Sequence, residues 1–250
     1  MKIAIVTGAS SGLGREFVRL LEQKLKTIDE IWVIARRGER LKELEKEGTI
    51  PLVPFLFDLE QSDWMDSIEK TLKEKQPMVK MLINCAGFGK IGSWEEVSFK
   101  QATGMIDVNC RALTAMTYLV LPYMTENARI IQLASSAAFL PQPRFAVYAA
   151  TKSYVLSFSR ALNEELKGRG ITVTAVCPGP VRTEFFDIAE ETGEVAFYKK
   201  FVMADPVKVV QKAFRDSLQR KSVSIYGGVM HVISWACKIL PHSWILRFLG

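Results

Sequence analysis

The sequence predicts an α/β fold: a Rossmann-type, doubly wound parallel sheet of about seven strands with helices on both faces, in a single domain over 1–250. Three observations predict it. Short β-rich runs alternate with helical patterns from the first residues onward. Several of those runs are continuously apolar, as in strands covered on both faces. A glycine-rich turn follows the first run directly and opens a helical pattern.

The elements follow in order. Residues 3–7 (IAIVT) form a β-branched run ended by Gly8, and 13–26 carry apolar residues at helical spacing. The run 31–35 ends in two arginines, 38–46 reads as a charged helix, and 53–57 is the third strand. A helix over 61–75 leads to a strand at 81–84, and one long helix is expected over 99–124. A strand at 129–134, a helix at 148–167, a strand at 172–177 and a helix at 206–219 complete the alternation, with a weaker strand at 222–226. Strand–helix–strand repetition implies right-handed crossovers.

Composition excludes several classes. With 48% hydrophobic and 24% charged residues, 16 Gly and 10 Pro in 250, the chain is neither disordered, collagenous nor a disulfide scaffold. Its four cysteines have no CxxC spacing and no HExxH occurs, so no metal site is expected. Unpaired, widely spaced cysteines fit the cytoplasm. The net charge of +6 raises nucleic acid as a partner, but cations alternate with anions, as in RLKELEKE over 40–47, and no basic–aromatic run occurs. The run 3–6 is too short for a signal peptide core. Residues 229–249 are apolar but interrupted by His231, Lys238, Pro241, His242 and Arg247, so no bilayer span is expected.

The first turn is Thr7-Gly8-Ala9-Ser10-Ser11-Gly12-Leu13-Gly14. Its glycines allow a tight turn, close backbone approach to a pyrophosphate and close helix–sheet packing, while the helix N-terminus offers free N–H groups to phosphate. The second strand ends in Ala35-Arg36-Arg37, where a carboxylate would favour NAD and guanidinium a 2′-phosphate. NADP(H) is therefore expected as cofactor, with Arg36 ahead of Arg37. Mid-chain, Tyr148 and Lys152 lie four residues apart on one helix face. Bringing a tyrosine from near 10 toward ~7 takes about 4 kcal/mol of phenolate stabilisation, for which an ammonium and an oxidised nicotinamide are an adequate source.

These residues resemble the short-chain dehydrogenases/reductases over positions 2 to about 227. The matching segments are Thr7–Gly14, Asp58-Leu59, Asn84-Cys85-Ala86-Gly87, Asn109, Ser135, Tyr148-Ala149-Ala150-Thr151-Lys152 and Pro178-Gly179-Pro180-Val181-Arg182-Thr183. The resemblance implies a catalytic set of Asn109, Ser135, Tyr148 and Lys152. Tyr148 would be the acid/base, and Lys152 would bind the nicotinamide ribose and lower the tyrosine pKa. Ser135 would hold the substrate oxygen, with Ser136 as its rival, and Asn109 a relay water. It implies cofactor contacts from Gly8, Ser10, Ser11, Gly12, Leu13, Gly14, Arg36, Asp58, Leu59, Asn84, Ala86, Gly87, Tyr148, Lys152, Pro178, Gly179, Val181 and Thr183. Asp58 would meet the adenine and Thr183 the carboxamide. Cys85 departs from the family pattern, which commonly has a second Asn there.

The expected function is hydride transfer between NADP(H) and a carbonyl or secondary alcohol of a small apolar molecule. A regiospecific hydroxysteroid (bile-acid type) dehydrogenase is the alternative within the class, and a non-catalytic NADP(H)-binding redox sensor the alternative outside it. The sensor has no need of all four catalytic-set residues. Residues 184–204, with Phe185, Phe186, Phe197, Tyr198, Phe201 and Met203, are expected either to cover the substrate or to pack on the domain. Arg144 reads as a surface residue with a possible pull on anionic substrates. The segment 227–250, with Trp235, Trp244 and Phe248, is expected to pack in a homodimer or homotetramer or to close the pocket, in preference to lying on a membrane.

Overall fold

All seven strands of the computed structural model are parallel, in the order β3-β2-β1-β4-β5-β6-β7. It describes residues 1–189 and 203–241. The strands are β1 (Lys2–Thr7), β2 (Glu30–Ile34), β3 (Leu52–Phe55), β4 (Met78–Asn84), β5 (Met124–Leu133), β6 (Thr172–Val176) and the two-residue β7 (Val223–Ser224). Helices α1 (Gly12–Lys24), α2 (Gly38–Glu47), α3 (Trp64–Lys75), α4 (Phe99–Ile106), α5 (Leu113–Val120) and α6 (Ala146–Glu165) connect them. Beyond β6 lie α7 (Phe185–Ala189), α8 (Pro206–Leu218) and α9 (Gly228–Ile239).

The continuously apolar strands are explained by two cores. Ala4 and Val6 of β1 face a layer containing Phe17, Val18 and Leu21 of α1 and Val210 and Phe214 of α8. Ile3 and Ile5 face the opposite layer, with Trp64, Ile68 and Leu72 of α3 and Met116 and Val120 of α5. Alternate side chains of one strand thus enter different cores, and both must be apolar.

The expected helix over 99–124 is not one helix. α4 begins with a capping box between Ser98 and Gln101, then passes at Asp107–Ala112 into a π-helical segment. α5 resumes the α geometry, Leu121–Tyr123 form a 3₁₀ turn containing Pro122, and Met124 already belongs to β5. Apolar periodicity does not distinguish a wider helical turn from an ordinary one, and Pro122 supplies no N–H to carry the helix onward. α7 and α9 are further helices that the sequence pattern did not separate from their surroundings. Of the aromatic residues expected to cover the substrate, Phe197, Tyr198 and Phe201 lie outside the described residues, as do Trp244 and Phe248.

Strand order reverses between β1 and β4, whose ends separate the chain into its two halves. The Thr7 hydroxyl bridges that point, accepting the N–H groups of Cys85 and Ala86, each at 3.1 Å. We predict that Thr7→Val, which keeps the shape and removes the single acceptor of both bonds, lowers unfolding stability by about 1–3 kcal/mol in urea titrations while Thr7→Ser does not.

Candidate active site

The carboxyl ends of β1, β2, β4, β5 and β6 surround a cavity of about 370 Å³. Its floor at one end is the first turn. Gly8 adopts φ +69°, and a Cβ there would lie 2.7 Å from the Ala86 nitrogen. A Cβ on Gly14 would lie 2.2 Å from the Gly8 carbonyl oxygen, so α1 reaches the strand end only because that atom is missing. Gly12, at φ +51°, faces the Thr183 side chain. Ser11 makes no side-chain cap on α1, whose first turn also carries no acidic residue. The uncapped N–H groups and positive dipole end at the cavity therefore suit an anion such as a diphosphate.

Arg36, Arg37, Asp58 and Leu59 line the same end. Arg36 is largely exposed, its Nη1 3.6 Å from an Asp58 oxygen. Arg37 points across the turn, with Nε 3.4 Å from the Ser10 hydroxyl and Nη1 donating to Glu184 at 3.0 Å. Arg40 donates to the other Glu184 oxygen. Sequence reasoning missed Glu184 and Arg40, because residues 144 or more positions apart meet only through the fold.

At the other end stands Tyr148, at the start of α6, with Phe145 stacked at 4.3 Å between ring centroids and Phe185 at 5.4 Å. Lys152 follows one turn later, its Nζ donating to the Leu133 carbonyl at 2.7 Å and lying 5.6 Å from the centre of the Tyr148 ring. Both side chains are buried. Ser135 and Ser136 both line the cavity with Tyr148, and it is Ser135 whose hydroxyl pulls the phenol pKa down. Its oxygen also accepts the Ala137 N–H, which fixes it at the start of a 3₁₀ turn.

Burial dominates the electrostatics here. Burial pushes the Tyr148 phenol up to about 12, and the hydrogen bond from Ser135 pulls against it. Burial also drives the Lys152 ammonium down to about 8. In the protein alone Tyr148 is therefore a neutral phenol, because desolvation outweighs the influence of Ser135.

Asn109 lies in the π-helical segment, fully buried. Its Oδ1 accepts the Phe88 N–H at 3.1 Å, and its Nδ2 donates to the Phe88 carbonyl at 2.9 Å and to Thr151 Oγ1 at 3.0 Å. Thr151 in turn donates to the Tyr148 carbonyl at 2.7 Å. Both amide hydrogens and one lone pair of the amide oxygen are thus taken up by the protein. Gly87 fits here because a Cβ would lie 2.8 Å from Asn109 Oδ1 and 3.3 Å from Lys152 Nζ.

Ala86, Gly87, Pro178, Gly179, Val181, Thr183 and the turn residues Ser10, Ser11 and Leu13 line the cavity. Asn84 does not. Its amide is buried beneath the floor, donating to Thr117 Oγ1 at 3.0 Å and Gln132 Oε1 at 2.9 Å, which makes it a tie between β4, α5 and β5. Arg144 is paired with Glu96 at 2.8 Å and is not among the lining residues.

The model of the short chain dehydrogenase family matches residues 2–193. The chain belongs to that family. Sulfoacetaldehyde reductase 2 of Chromohalobacter salexigens is 34% identical over 192 residues, 73% of this chain and 74% of that one. The very-long-chain 3-oxoacyl-CoA reductase of Rattus norvegicus is 28% identical over 256 residues, 97% of this chain and 76% of its own. Among solved structures, a short-chain dehydrogenase of Sphingobium yanoikuyae in complex with NADPH superposes with a TM-score of 0.77 at 27% identity, covering 90% of this chain and 87% of the other. This short-chain dehydrogenase is accordingly an oxidoreductase acting on alcohol or carbonyl groups of small molecules with a nicotinamide cofactor. No described helix is long and apolar enough to cross a membrane.

The low lysine value is directly measurable. In protein labelled at lysine side-chain nitrogens, NMR should find one lysine titrating near 8, well below the ordinary ~10.4. That signal should vanish in Lys152→Met. A set of lysines that all titrate near the ordinary value would contradict the burial argument.

Proposed function

We propose that this chain is an NADP(H)-dependent short-chain dehydrogenase/reductase that transfers hydride between the nicotinamide and a carbonyl or secondary alcohol of an apolar substrate, with Tyr148 as proton donor and acceptor. The observation that carries this reading is the pairing within one cavity of a buried phenol beside Ser135 and Lys152 and an uncapped helix N-terminus flanked by Arg36 and Arg37. Nicotinamide dinucleotide, when bound, supplies or accepts the hydride.

The residues divide the work. Gly8, Ser10, Ser11, Gly12, Leu13 and Gly14 bind the diphosphate, and Arg36 and Arg37 the 2′-phosphate. Asp58 and Leu59 border the adenine, and Ala86, Gly87 and Lys152 hold the riboses. Pro178, Gly179, Val181 and Thr183 shape the carboxamide side. Asn109 positions Tyr148 through Thr151 and the Phe88 backbone.

A neutral phenol suits the reductive direction, since Tyr148 has a proton to give as the carbonyl oxygen gains charge. Ser135 donates to that oxygen and stabilises the developing alkoxide in a site from which the aromatic rings exclude water. Lys152, largely protonated at neutral pH with its value near 8, supplies the positive charge that lets Tyr148 recover a proton in the reverse direction.

Phe88, Phe145, Phe185 and Phe186 line the substrate end and support an apolar substrate. The named substrate of the rat relative, a very-long-chain 3-oxoacyl-CoA, carries a chain of that kind. Ser135, Tyr148 and Lys152 lining one cavity, with Asn109 buried behind them and bonded to Thr151, favour catalysis over redox sensing. We place the protein in the cytoplasm as a single domain, a reading supported by its four free cysteines. Exposed Trp94, Phe99 and Tyr118 support a homodimer or homotetramer.

Tyr148→Phe should bind NADPH as the wild type does and reduce carbonyl compounds about 10²–10⁴-fold more slowly, as read from NADPH absorbance with a panel of steroids, quinones, acyl ketones and aldehydes. Unimpaired turnover would remove Tyr148 from the mechanism. The same panel with NADH should be slower throughout.

A further inference from the structure

Glu184 is the one carboxylate at the cofactor end that two guanidiniums grip together, among the described residues. It follows Thr183 directly and precedes α7. Arg37 stands at the N-cap of α2 and Arg40 in its first turn. The ion pairs therefore join the segment after β6 to the loop after β2 across the side of the cavity that Ser10, Arg37 and Glu184 all line. The hydrogen bond from Arg40, with Arg37 beside it, holds the Glu184 carboxyl below its ordinary value, so it is an anion at neutral pH.

Resting on the NADP(H) reading above, we infer that Glu184 is a cofactor-discriminating residue: an internal anion that holds Arg37 and Arg40 in the place of a ribose 2′-phosphate and must be displaced when the phosphate binds. Three arguments support it. Arg37 is the guanidinium that touches the glycine-rich turn, through Ser10, whereas Arg36 is engaged only loosely with Asp58. A carboxylate and a phosphate are bound by the same guanidinium fork, so the two compete for one partner. All three side chains are part-exposed, with 36–42% of the side chain accessible, so screening keeps the pairs exchangeable.

Exchange also has a consequence at the other end of the cavity. Glu184 adjoins Phe185, whose ring lies 5.4 Å from that of Tyr148. Release of Glu184 by a phosphorylated cofactor frees the tie that positions this ring from the α2 side. The ties from Lys90 to the Ile188 carbonyl and from Ile91 to the Ala189 carbonyl, at 2.8 and 3.0 Å, stay in place. An unphosphorylated cofactor leaves the ion pairs intact.

The test is calorimetric and needs no turnover. Dissociation constants of 2′,5′-ADP and 5′-ADP are measured for the wild type and Glu184→Gln at low and moderate salt. We expect the variant to bind 2′,5′-ADP about 5–10-fold more tightly and 5′-ADP within about twofold of the wild type, with the gain shrinking as salt rises. Unchanged or weaker 2′,5′-ADP binding in the variant, or an equal change for both nucleotides, would overturn the inference. The NADP(H) reading fails separately. A wild type that does not prefer 2′,5′-ADP, beside a variant that does, removes the assigned cofactor and leaves Glu184 as the residue that blocks it.

Discussion

The approach of α1 to the end of β1 is the constraint on which the rest of the site depends. With a 2.2 Å gap between an added Cβ on Gly14 and the Gly8 carbonyl oxygen, any side chain at Gly14 would push the helix off the strand. The helix end would then no longer present its uncapped N–H groups to the cavity, and the Thr7 bridge to Cys85 and Ala86 would lose its geometry. Both halves of the sheet meet at this point, so the position of the uncapped helix end and that of the chain at Cys85 and Ala86 depend on the same contact. Its worth is geometric. The energy that holds it in place comes from the two apolar layers on either side of β1.

At the opposite end, burial sets the chemistry. Burial raises the Tyr148 phenol, against which Phe145 and Phe185 pack, and lowers the Lys152 ammonium. The shifts run against ionisation in both cases, so the protein alone stores a neutral acid beside a readily deprotonated cation. Ser135 works in the other direction, favouring the phenolate. This division suits a site in which charge develops during the reaction rather than beforehand.

Much of this was legible in the sequence, for physical reasons. Strands such as 3–7 and 31–35 are apolar throughout because each faces two cores, and the glycines and the Tyr148–Lys152 spacing are local patterns. The break at Asp107–Ala112 was not legible, since apolar spacing does not reveal it and the bonds Asn109 makes there reach Phe88 and Thr151, far away in the chain. Asn84 carries the residue type expected of a cofactor contact, yet its side chain points into the sheet to satisfy Thr117 and Gln132. The Glu184–Arg37–Arg40 cluster had no signal at all in the chain, because neither residue type nor spacing marks ion pairs made across a fold. Most of the +6 charge has no part in the site.

The central claim is that hydride and proton meet at one carbonyl beside Tyr148. A single-turnover reduction of an apolar ketone with NADPH deuterated at the transferring carbon of the nicotinamide tests it most directly. The account predicts that deuterium appears on the carbinol carbon of the product, and that the step slows both with the labelled cofactor and in deuterated water. Cofactor consumption without label in the product would contradict it.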